Sequence, residues 1–159
     1  MPQFHIRLAG DDLSFSAGHF ITLADGQCER LHGHTYRVAA EIYGPLGEAH
    51  YVVDFVAVGN TLKGILAELD HRMLLPTQHP AIRVSSRAGE IEVMLAQRRW
   101  VFPQDDCLLL PIANTTTELL AHYVSERLLA ALVTLGETPA LVRIEIGEGS
   151  GASAVCKLP

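Results

Sequence analysis

Two runs of alternating apolar and polar residues, each bounded by histidine, constrain this chain more than any other feature. Leu13, Phe15, Ala17 and His19 share one face of an extended segment, and Ser14, Ser16 and Gly18 share the other. In the second run His34 is in phase with Tyr36, Val38, Ala40 and Ile42, and His32 precedes it by two residues on the same side. Thr35, Arg37 and Glu41 face the other way. Such segments fit half-buried strands of a sheet with one face on a core. They also carry three imidazoles onto apolar faces, where unpartnered ring nitrogens cost free energy.

Strand patterns over Leu8–Phe20 and Thr35–Tyr43 precede a first helix, and Leu141–Gly147 with a short run around Ala152–Cys156 follow a second. The first helix starts at Phe55, where Val58, Leu62, Ile65, Leu66 and Leu69 form one stripe, and it ends near Asp70. The second runs from about Thr117 to Leu135 and stops at Gly136. Its entry, Thr115-Thr116-Thr117-Glu118, matches a threonine cap with a glutamate three residues on. Strands paired around helices predict an α+β fold with an antiparallel sheet. Glu90–Leu95 and Trp100–Phe102 read as a hairpin turning through Ala96-Gln97-Arg98-Arg99, a peripheral insertion within about 82–111.

The 159 residues, 48% hydrophobic and 19% charged, fit a single folded domain over 1–159. A net charge of -6 without a basic run argues against a nucleic-acid partner. No apolar run reaches the roughly 20 residues of a membrane span, and Met1–Gly10 lacks a secretory leader's pattern, so a cytoplasmic protein without a membrane partner is expected. Three unclustered cysteines, Cys28, Cys107 and Cys156, suggest free thiols.

A shared metal gives the histidines a reason to be there. Zinc suits imidazole, and three histidines with a vacant fourth position make a catalytic rather than a structural site. His19, His32 and His34 are the candidate ligands, and the open position would take a small, multiply oxygenated substrate. His5, His50, His79 and His122 read as ordinary hydrogen-bonded or surface residues. Cys28 lies in a polar loop between Gly26 and Gly33, where it is a further candidate ligand, a reactive thiol or a residue without a role. His71 after Asp70 fits the negative end of a helix, and the carboxylate could also orient the imidazole for proton transfer. Of two late glutamates, Glu148 continues the apolar phase of Val142, Ile144 and Ile146, whereas Glu145 shares the other face with Arg143. Thr116, Thr117 and Glu118 fit helix capping as well as ligand contacts.

Phe15-Ser16-Ala17-Gly18-His19 followed by Cys28-Glu29-Arg30-Leu31-His32-Gly33-His34-Thr35-Tyr36 resembles the zinc site and cysteine loop of the 6-pyruvoyl- and 6-carboxy-tetrahydropterin synthase family. Val53-Asp54-Phe55, Leu69-Asp70-His71, Thr116-Thr117-Glu118-Leu119-Leu120-Ala121 and the late glutamate follow in family order. The resemblance implies the tunnelling fold: an antiparallel four-stranded sheet with two helices on one face, assembling into trimers that stack as hexamers with active sites between subunits. It implies zinc as cofactor and dihydroneopterin triphosphate as substrate, with loss of triphosphate and then rearrangement or cleavage of the side chain. It makes Cys28 the proton-abstracting base, Asp70-His71 its relay from a neighbouring subunit, and Glu148 the pterin anchor, with Thr116 and Thr117 adding contacts. The reaction expected is formation of 6-carboxy-tetrahydropterin, with 6-pyruvoyl-tetrahydropterin formation or aldolase-type cleavage as alternatives, and a non-catalytic pterin carrier as the rival outside enzymology. Three departures stand out: Ala154-Val155-Cys156 where relatives place an aromatic residue, the long 82–111 segment, and Glu29 beside Cys28.

Overall fold

A computed structural model describes residues 3–159; Met1 and Pro2, the start of the stretch read for a leader, lie outside it. Strand β1 (Phe4–His19) pairs antiparallel with β2 (His32–Gly44). After helix α1 (Phe55–Leu69) come β3 (Arg72–Pro76), β4 (Arg83–Arg87), β5 (Glu90–Leu95), β6 (Arg98–Pro103) and β7 (Cys107–Leu110). Helix α2 (Thr117–Thr134), β8 (Leu141–Gly147) and β9 (Ser153–Leu158) complete the chain.

The four expected strands form the antiparallel run β1-β2-β8-β9, but the sheet is larger and mixed. Its order is β7-β3-β1-β2-β8-β9, with β3 and β7 added in parallel on the β1 side. The expected hairpin is a three-stranded antiparallel sheet, β4-β5-β6, and its turn is only Ala96-Gln97, with Ala96 at φ 51°. It is not peripheral. Ile82, Ile91, Val93 and Leu95 form a second core with Phe20, Met73, Leu75 and Cys107, and Cys28 packs against it.

The main core lies between the helices and the sheet face carrying Phe15, Tyr36, Val38, Ile42, Ile144 and Ile146. β1 keeps its apolar side inward by a register shift between Ala9 and Ser14, so that Ile6 and Leu13, in opposite phase, are both buried. Helix α1 buries the expected stripe, and Asp54 caps it by accepting hydrogen bonds from the amides of Val56 and Ala57. Helix α2 differs at its start. Thr116, not Thr115, is the cap and accepts from Leu119, so Glu118 sits one position too early to close a capping box. Thr115 is fully buried and donates its hydroxyl proton to the Phe20 carbonyl.

Candidate active site

The β1–β2 register assembles the imidazoles. His19 lies directly opposite His32, and His34 lies opposite Ala17, so all three side chains leave one face within two residue pairs. Their ring centroids are 4.7, 4.9 and 5.1 Å apart, and one ligand atom from each lies within 4.8 Å of the others. The intervening pair Gly18 and Gly33 permits this approach: a β-carbon on Gly33 would meet the Ala17 carbonyl oxygen at 2.9 Å.

His19 is only 2% exposed, and its Nδ1–H donates to the Thr115 carbonyl at 2.8 Å. His32 donates from Nδ1 to the Arg30 carbonyl at 2.7 Å. Each carbonyl selects the tautomer with a free Nε2, the arrangement that prepares histidine for a metal. Burial lowers the His19 pKa, which also favours the neutral, ligating form. Tetrahedral zinc with nitrogens at about 2.1 Å requires ligand atoms about 3.4 Å apart, within reach of modest ring rotation. The donor set therefore fits a zinc ion with an open fourth position.

Beside the triad, Glu148 lies one residue past β8, with Oε2 4.0 Å from His34 Nε2. The Thr117 hydroxyl donates to its other oxygen. These two residues, with Ile21, Thr116, Glu118 and Ala154, line a cavity of about 330 Å³. Ala154 belongs to the Ala154-Val155-Cys156 stretch, where the resemblance implies an aromatic residue. Glu145 points elsewhere, accepting from Arg143 at 3.0 Å and from Ser153 at 2.9 Å.

Cys28 lies in the loop joining β1 to β2, bridged to Thr22. Its thiol donates to the Glu29 carbonyl at 3.2 Å. Burial pushes this thiol pKa up, the Arg98 guanidinium opposes that, and the Glu29 carboxylate reinforces it. Glu29 itself reaches toward the triad, with Oε2 3.8 Å from His32 Nε2.

Asp70 and His71 form a separate group. The Ser16 amide donates to Asp70 at 2.7 Å, and the His71 ring pairs with the other carboxylate oxygen at 2.8 Å. The Ser16 amide first, and then His71, holds the Asp70 carboxyl below its usual range. His71 adopts φ 56° and is tied through its amide to the Ser16 carbonyl, leaving its side chain 82% exposed. It faces a cavity of about 700 Å³ bounded by Ser16, Gly33, His34, Thr35, Phe102 and Asp106, so one residue of the triad also borders it. By strand phase Ser16 and Thr35 point away from the imidazoles, and Cys28 is not part of this wall.

Several residues that hold the site were not legible in the sequence. Asn114 mimics a strand by bonding both the amide and the carbonyl of Thr22, and His79 bonds the Thr22 hydroxyl at 2.8 Å. Arg98 donates to the carbonyls of Cys28 and Glu29. Each acts across a long sequence separation, for which the residue pattern holds no sign.

The family model for 6-pyruvoyl tetrahydropterin synthase matches residues 11–158. A Methanocaldococcus jannaschii protein, provisionally named 6-carboxy-5,6,7,8-tetrahydropterin synthase, is 33% identical over 144 residues, covering 89% of this chain and 88% of its own. The Haemophilus influenzae 6-carboxy-5,6,7,8-tetrahydropterin synthase is 26% identical over 139 residues, covering 80% and 90%. The Plasmodium vivax 6-pyruvoyl tetrahydropterin synthase crystal structure superposes with a TM-score of 0.90 over 99% of both chains at 22% identity, a likeness of fold. With nearly its whole length matched and the histidine cluster assembled, the chain belongs to the 6-pyruvoyl tetrahydropterin synthase family and is a lyase.

Proposed function

We propose that this chain is a zinc-dependent lyase acting on 7,8-dihydroneopterin triphosphate and forming 6-carboxy-5,6,7,8-tetrahydropterin. One water is taken up, and triphosphate and acetaldehyde leave. The observation that carries this reading is the convergence of His19, His32 and His34 beside a cavity containing Glu148. The names of the relatives favour the carboxylated product.

His19, His32 and His34 would hold the ion, which supplies Lewis-acid polarisation of the substrate's side-chain oxygens when bound. Glu148 accepts hydrogen bonds from the pterin amino and ring nitrogens, oriented by the Thr117 hydroxyl. Thr116 and Thr117 border the ring site. Cys28 accepts the carbon-bound proton as thiolate. His71 exchanges that proton, with Asp70 stabilising its charged form. His71 is exposed and borders a cavity that Cys28 does not line, which supports a site completed by a neighbouring copy, in a trimer or hexamer. Both outer strands of the six-stranded sheet, β7 and β9, also offer edges through which copies could pair.

A second reading is aldolase-type cleavage with Glu29 as the base, favoured by its carboxylate 3.8 Å from His32 Nε2. Zinc-loaded protein should release triphosphate from dihydroneopterin triphosphate, and Cys28→Ala should abolish release while retaining zinc. Loss of zinc in C28A would reassign Cys28 as a ligand. Full activity in C28A, with loss in Glu29→Gln, would favour the second reading.

A further inference from the structure

We infer that Arg98, on the inserted sheet, is a positioning residue that sets the cysteine loop for catalysis. The inference rests on the assignment of Cys28 as the base. Arg98 Nη1 donates to the Cys28 carbonyl at 3.1 Å and to the Glu29 carbonyl at 3.3 Å, some 70 residues away in sequence. One guanidinium nitrogen thus spans two successive peptide units, the backbone from which both candidate bases project.

The guanidinium is itself held. It lies over the Trp100 ring at 4.6 Å, and Trp100 stacks on Phe20 with centroids 4.5 Å apart and planes 14° from parallel. Phe20 is 1% exposed and directly follows His19. A continuous stack therefore runs from the residue beside a metal ligand, through the insertion, to the loop carrying Cys28. Such a stack fixes the guanidinium plane at little entropic cost, which a flexible ammonium cannot match. The loop otherwise gives its own backbone few cross-chain anchors: Asn114 and His79 hold only Thr22, at its start. The loop's own pairing of Thr22 with Cys28 and of the Glu29 amide with the Ile21 carbonyl carries that hold across, and Arg98 adds the side-chain anchor at the Cys28 and Glu29 carbonyls. Its positive charge also opposes the rise in thiol pKa that burial imposes. The insertion is therefore part of the catalytic apparatus.

Arg98→Met keeps the length of the stem and removes both hydrogen bonds and the charge. In the zinc-loaded protein, R98M should lower kcat on dihydroneopterin triphosphate by about 10–100-fold with KM and zinc stoichiometry unchanged, the signature of a misplaced group rather than a lost binding contact. Amide exchange over residues 22–31 should quicken about tenfold, a readout that needs no turnover. Arg98→Lys, which keeps the charge without the rigid fork, should recover part of kcat. Trp100→Leu, which leaves Arg98 in place without its stack, should give a smaller loss of kcat and an intermediate exchange rate. Unchanged kcat and unchanged loop exchange in R98M would overturn the inference. Loss of zinc together with kcat in both R98M and W100L would also overturn it, because the stack would then support the metal site. If C28A turns over normally, the assignment of the base fails instead, and the exchange measurement still reports whether Arg98 holds the loop.

Discussion

At the residue scale, the closest tolerance in the site belongs to Gly33, between two of the histidines. Its missing side chain lets the β1 backbone pass so near that a methyl group would sit 2.9 Å from the Ala17 carbonyl oxygen. Gly33→Ala should therefore push the strands apart, destabilising the protein by about 1–3 kcal/mol. It should also weaken zinc binding by spreading His32 and His34, as equilibrium unfolding and metal analysis of the purified variant would record. A stable variant with full zinc would contradict the account of the triad's geometry. The phase of the histidines was readable because a strand alternates strictly, and the same rule separated Glu148 from Glu145. The contacts that hold them were not. Nothing about Thr115 announces that its carbonyl will fix the His19 ring, since a main-chain group has no sequence signature.

At the scale of elements, α1 was legible from its apolar stripe, and α2 from the threonines and glutamate at its entry and Gly136 at its end. Removing the α1 cap by Asp54→Ala should cost about 1 kcal/mol in urea unfolding without altering zinc content. An effect on the metal would mean that α1 reaches the site in a way its contacts do not suggest. Strands β3 and β7 escaped notice for a physical reason. Each is a short apolar run in a parallel pairing, Met73–Pro76 against Cys107–Leu110, without the apolar–polar alternation that marks a strand. Strand β4, Arg83–Arg87, is nearly all exposed and polar, so it has no apolar phase to detect. The insertion consequently read as a hairpin on the rim, whereas its apolar side meets Phe20 and the loop of Cys28.

At the scale of the whole molecule, the burial of His19 ties stability to pH. The His19 pKa falls below the ordinary 6.5 because burial disfavours its charged form. Between that lowered value and 6.5 the unfolded chain binds more protons than the folded one, so stability rises with pH across this window. The metal-free protein should have a melting temperature that is flat between about pH 7 and pH 8, below the range where the thiols titrate, and that falls as pH drops below 6.5. Thermal melts in a series of buffers would check the sign; a melting temperature rising on acidification would contradict it. No described helix is long and apolar enough to cross a membrane. Zinc, the pterin triphosphate and a partner copy join these observations into one account, and turnover tests all three together. The most direct measurement is the mass of the products formed when zinc-loaded protein is incubated with 7,8-dihydroneopterin triphosphate. The account predicts 6-carboxy-5,6,7,8-tetrahydropterin with triphosphate and acetaldehyde. Unchanged substrate, with zinc shown to be bound and the protein assembled, would contradict it.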